Sequence, residues 1–108
     1  EPEVQEDEGD GVRRFHSFQV DTKSHRVIRG EEEVDLSSIE YSLLTYMMDH
    51  PDVLLLYQDL YKQVWGNDSL GDTRTVMVHI SNLRKKLDPD RRGIIGTVRG
   101  AGYIFSDV

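Results

Sequence analysis

Between Asp72 and Asp88 the chain carries Arg74, His79, Arg84, Lys85 and Lys86 and no acid. Such a stretch offers guanidinium and ammonium donors to phosphate oxygens. Its apolar residues Val76, Ile80, Leu83 and Leu87 fall within a narrow arc at 100° per residue. The opposite arc holds Arg74, Val78, Ser81, Asn82 and Lys85, with Arg84 and Lys86 on its flanks. A positive outward face on one helix is what entry into a DNA major groove requires. Asn82 carries an amide able to pair with an adenine edge through two hydrogen bonds, and ordinary solvation is the alternative. Val78, in the middle of the polar face, suits a thymine methyl or a sugar. It equally suits a scattered surface hydrophobe or a protein contact. Arg99 opens Arg99-Gly100-Ala101-Gly102, where two glycines permit a sharp turn and a close approach to another surface. An arginine on a protruding tip fits a narrow, electronegative minor groove. A plain β-turn with an incidental cation is the other reading.

Other chemistry finds little support. The 108 residues contain no cysteine, which excludes disulfide frameworks, thiolate metal sites and thiol nucleophiles. His16, His25, His50 and His79 are scattered without a short ligand spacing, so no metal or cofactor is expected. Carboxylates are plentiful, but Glu31-Glu32-Glu33 is a run expected in a solvated turn. No histidine–acid pair has catalytic logic, so an enzyme is not expected. No apolar run approaches the roughly 18 residues of a membrane span, and no signal peptide is visible.

The elements that must position these residues follow in order. The length suits one domain with one core. Phe15, Phe18 and Val20, then His25 to Arg29, then Glu31 to Leu36 are short β-like pieces between turn formers, which predicts a small antiparallel sheet. Ser37 is a helix cap and Glu40 completes a capping box, with Leu36 and Tyr41 placed for the hydrophobic staple. Ile39, Leu43, Leu44, Met47 and Met48 continue a helix that should end near His50-Pro51. A second helix fits Gln58 to Trp65, with Gly66 as its stop. Gly66 to Asp72 is a loop. Asp72 or Thr73 can cap the third helix, which runs to about Leu87. Ile94 to Val98 and Tyr103 to Phe105 read as two strands around the Arg99–Gly102 tip.

Charge is uneven along the chain. The formal total is −7, which on its face argues against a nucleic-acid partner. Residues 1–12 carry six acids and no bases and read as a disordered acidic tail or linker. Residues 13–30 carry five bases and one acid, 31–72 ten acids and one base, and 73–106 seven bases and two acids. Two basic segments around an acidic centre suggest one positive side.

Four motifs in this order resemble a known family. They are Val34-Asp35-Leu36-Ser37-Ser38-Ile39-Glu40-Tyr41-Ser42-Leu43-Leu44, then Leu60 with Val64-Trp65-Gly66, then Arg74 to Leu87, then Thr97 to Tyr103. Over residues 13–106 the chain is similar to the winged-helix effector domain of OmpR/PhoB-type response regulators of bacterial two-component systems. The resemblance implies an α+β winged helix-turn-helix domain over 13–108. Its parts would be an N-terminal four-stranded antiparallel sheet, three helices and a C-terminal β-hairpin wing. It implies that Trp65, Arg74, His79, Arg84 and Lys85 lie near DNA phosphates, with Val78 and Asn82 facing the bases. Thr75 and Ser81 complete the contact set on the helix. In the wing it implies that Thr97 and Tyr103 approach the backbone while Arg99 enters the minor groove. Met77 stands where the family usually has aspartate, and Asn82 where arginine is frequent, so no target sequence can be borrowed from a relative. Asn67, Asp68, Ser69, Leu70 and Gly71 match a loop that contacts RNA polymerase in the family, a plain connector being the alternative. The resemblance further implies a cytoplasmic bacterial regulator that binds direct repeats of double-stranded DNA as a head-to-tail tandem dimer. Residues 1–12 would then end a linker from a receiver domain missing from this chain. A winged helix used only for protein contact is the competing function, and the cationic face with Arg99 counts against it.

Overall fold

A computed structural model describes residues 11–66 and 73–106. The tail residues 1–10, the candidate polymerase loop Asn67 to Gly71, the candidate cap Asp72 and residues 107–108 lie outside the described residues.

The chain begins with a four-stranded antiparallel meander, β1 (Val12–Arg14), β2 (Gln19–Asp21), β3 (Arg26–Arg29) and β4 (Glu32–Val34), paired in that order. Strand alternation puts one valine from each of β2, β3 and β4 on a common face: Val20 sits opposite Val27, and Val27 opposite Val34. Val20 and Val27 are buried. The Asp21 carboxylate accepts from the Lys23 and Ser24 amides (3.0 and 3.3 Å) and shapes the β2–β3 turn. Phe15 stacks on Phe18 at 4.8 Å, and both meet Phe105 edge-on, which fastens the sheet to the C-terminal strands.

Helix α1 (Ser38–Met48) carries the anticipated capping box: Glu40 N donates to Ser37 Oγ (3.1 Å) and Ser37 N to Glu40 Oε1 (2.9 Å). The helix ends at Met48, two residues before His50, with Asp49 as its cap. Glu40 also receives Lys86 Nζ at 2.7 Å. Burial opposes ionisation of Glu40, but the Lys86 and Ser37 hydrogen bonds outweigh it and leave the carboxyl below its ordinary value. Its stabilising contribution is therefore present above the unfolded glutamate range and lost as pH falls through the lowered folded value. Lys86→Met should flatten the acid-unfolding profile in that window, measured by urea midpoint against pH.

Helices α2 (Tyr57–Trp65) and α3 (Arg74–Leu87) follow. Gly66 closes α2 at φ 95, donating to Lys62 O at 2.9 Å. Val76, Ile80, Leu83 and Leu87 are fully buried, so the predicted stripe faces the core against α1. The expected side-chain cap is absent at Thr73: its backbone is already helical and its hydroxyl caps nothing.

The wing differs from a plain hairpin. Strands β6 (Ile95–Val98) and β7 (Gly102–Phe105) are joined by β5 (Leu54–Leu56), giving a three-stranded sheet in the order β5-β7-β6. Three leucines carry little strand preference, and the partner of β5 lies almost fifty residues away, so local pattern does not reveal it. Gly102, expected in the tip, lies inside β7; the turn is Val98–Ala101, closed by Ala101 N to Val98 O at 3.0 Å.

Asp88, which follows the last residue of α3, is a buried keystone. Its carboxylate accepts from the amides of Arg92 (2.8 Å), Gly93 (2.9 Å) and Ile94 (3.1 Å). Hydrogen bonds to a charged acceptor contribute about 1.5–3 kcal/mol each. This clasp fixes the path from α3 into the wing.

Candidate nucleic-acid interface

Helix α3 buries one stripe and exposes the other. Arg74, Met77, Val78, Ser81, Asn82 and Lys85 are exposed, with Val78 at 58%. Thr75, His79 and Arg84 are half-buried along its edges. Lys86, on the flank, is exposed but reaches to the buried Glu40 at 2.7 Å. Its charge therefore belongs to the α1–α3 contact.

The helix and the wing share a groove lined by Ser81, Arg84, Lys85, Arg91 and Thr97. Arg84 bridges it. One guanidinium nitrogen donates to Thr97 Oγ1 at 2.8 Å, and the group lies 5.7 Å from the centre of the Tyr103 ring. Tyr103 meets Tyr57 edge-on at 5.6 Å and is only 5% exposed. Burial pushes its phenol above the ordinary tyrosine range; Tyr57 adds to the rise and Arg84 opposes it. Its place is thus beneath Arg84, as the floor that holds the cation level with the groove.

Trp65 occupies the corner between α2 and α3. It stacks on Tyr61 at 4.8 Å and tilts against His79 at 5.6 Å. Arg99 stands exposed at the wing tip, where Gly100 takes φ 76. Tyr57 N donates to Ala101 O at 3.0 Å, pinning the tip to the start of α2. Thr97 is exposed on β6.

The other basic segment does not join this face. Arg13 pairs with Asp49 at 2.8 Å, Arg26 with Glu33 at 2.9 Å, and Arg29 with Glu32 at 3.5 Å. The glutamate run is exposed as expected, but Glu32 and Glu33 form β4 and neutralise the neighbouring strand. The two basic segments of the sequence are therefore unequal: Arg13, Arg26 and Arg29 of the first are paired with acids, whereas Arg84, Lys85 and Arg99 of the second lie along α3 and the wing. Among the described residues no cluster of histidines and carboxylates could hold a metal ion, and no helix is long and apolar enough to cross a membrane.

A meander, three helices with the third presenting a cationic outer face, and a strand-supported hairpin define a winged helix-turn-helix domain. The family model described as "Transcriptional regulatory protein, C terminal" matches residues 30–105. The chain belongs to this family, as an OmpR/PhoB-type C-terminal effector domain. It is 41% identical over 98 residues to the phosphate regulon transcriptional regulatory protein PhoB of Escherichia coli K12, covering 88% of this chain and 42% of PhoB. It also resembles the solved DNA-binding domain of Klebsiella pneumoniae RstA in complex with the RstA box. That match has a TM-score of 0.79 and 32% identity over 90% of this chain and 98% of that one. The DNA-binding domain of the response regulator AdeR, in complex with an intercistronic region, matches at TM-score 0.76 and 28% identity, over 89% of this chain and 100% of that one. The chain spans about two fifths of the length of the curated relatives it matches.

Proposed function

We propose that this domain binds double-stranded DNA sequence-specifically as the output module of a two-component transcription regulator, and performs no catalysis. The observation that carries the reading is the exposed cationic surface that runs from Lys85 on α3 across the Arg84–Thr97 bridge to the wing that bears Arg99. Solved relatives bound to DNA share the fold that displays it. Helix α3 lies in the major groove and the wing tip in the adjacent minor groove. Trp65, Arg74, Thr75, His79, Arg84, Lys85 and Thr97 position the domain on phosphates, with Tyr103 acting beneath Arg84. Val78, Ser81 and Asn82 meet base edges, and Arg99 meets the minor groove.

The reading extends beyond the described residues. Asn67 to Gly71 contact RNA polymerase, and residues 1–12 link a receiver domain to the effector domain 13–108 of a cytoplasmic bacterial protein. Two copies occupy direct repeats head to tail, with half-sites about one helical turn apart. Footprints confined to inverted repeats would contradict the tandem arrangement.

Asn82→Ala tests the readout. Asn82 is exposed and central, so its loss should relax preference at one base position by about 1–3 kcal/mol and leave other positions unchanged. Competition binding against single-position site variants measures this. Equal weakening on every sequence would mark Asn82 as a backbone contact.

A further inference from the structure

The centre of the exposed face on α3 is uncharged. Its cations stand toward the two ends, Arg74 and Lys85; between them the exposed side chains are Met77, Val78, Ser81 and Asn82. Guanine is read in the major groove chiefly by arginine or lysine, which donate to its O6 and N7. No such donor stands at the middle of this face. Instead Met77 (38% exposed) and Val78 (58%) present adjoining apolar surface to solvent. Within the major groove the thymine C5-methyl is the apolar feature that such surface can cover. Asn82, one turn beyond Val78 on the same face, carries the amide that matches adenine N6 and N7. The wing points the same way: an exposed Arg99 on a tip shaped by Gly100 is suited to the narrow minor groove of A-tracts.

We infer that the DNA recognised by this domain is an A·T-rich half-site read through adjacent thymine methyls by Met77 and Val78. This rests on the DNA-binding reading above and adds the base chemistry to it. Serine at position 81 tolerates either pair and imposes no opposing preference.

The test begins with unbiased selection of duplexes bound by the domain. The selected site is then synthesised with uracil in place of thymine, which deletes the methyls while leaving every Watson–Crick hydrogen bond. Each buried methyl accounts for about a fourfold affinity change, so loss of two predicts roughly fifteenfold weaker binding of the uracil duplex. Met77→Ala/Val78→Ala alters only exposed side chains, and its thymine-to-uracil ratio should fall to about one. Circular dichroism of the variant confirms that it remains folded. A G·C-rich selected site, or an unchanged affinity of the wild-type domain for the uracil duplex, would overturn the base preference while leaving DNA binding intact. Absence of salt-dependent binding to any duplex would overturn both.

Discussion

Replacing Gly102 by alanine should abolish the native fold of the wing and cost more than about 4 kcal/mol, a range reached only when a specific structural requirement is violated. Gly102 is buried and does not occupy the left-handed region of backbone space, so conformational freedom is not what it supplies. It supplies space. A Cβ there would overlap Leu55 O and stand 2.8 Å from Leu55 C and 2.9 Å from Leu56 Cα. These are backbone atoms of the paired strand β5, held by the Leu55–Tyr103 register and by Tyr57 N to Ala101 O. They cannot swing aside as a side chain would. Gly100 is the control. Space around it is open, and its φ of 76 makes alanine strained by only about 1–2 kcal/mol. Urea unfolding of both variants separates the two cases; equal losses would mean that β5 can retreat from β7.

Arg84→Ala should weaken DNA binding about ten- to a hundredfold on all sequences alike, which corresponds to the loss of one charged hydrogen bond and its phosphate attraction. Arg84 is tied to Thr97 and lies over Tyr103, so its guanidinium is positioned before any partner arrives. Its Nε is buried without a hydrogen-bond partner, a desolvation penalty that argues against a purely stabilising role. Thr97→Val separates the two contributions. It keeps the cation and removes the latch together with the hydroxyl's own phosphate contact, and should lower affinity by less than Arg84→Ala while leaving the salt dependence unchanged. If Thr97→Val matched the full loss, latching rather than charge would carry the effect.

Much of this architecture was legible in the residues because the signals were local. The Ser37–Glu40 capping box, the Val76–Leu87 stripe and the Gly66 stop each act within a few residues of where they are written. What escaped was non-local. Strand β5 exists because β7 pairs with it, and nothing in Leu54-Leu55-Leu56 announces that partner. The role of Gly102 follows from the same pairing: its proximity to a surface was anticipated, but the surface is β5 rather than a ligand. Nothing local to Asp88 signals its role, because its three amide contacts depend on how residues 91–94 fold back. Charge was the least transferable signal. In the sequence Lys86, Arg13, Arg26 and Arg29 add to a positive side, but in the fold they pair with Glu40, Asp49, Glu33 and Glu32. On α3 and the wing, by contrast, Lys85 and Arg99 are exposed and meet no acid in an ion pair among the described residues.

The whole-chain charge of −7 therefore says little about partners, and the decisive quantity is how many phosphates the α3–wing face neutralises. Titrating the affinity of the domain for a duplex against salt measures it directly. Neutralising about five phosphates predicts a log–log slope of about −4 to −5. A flat salt response would contradict docking on DNA through this face.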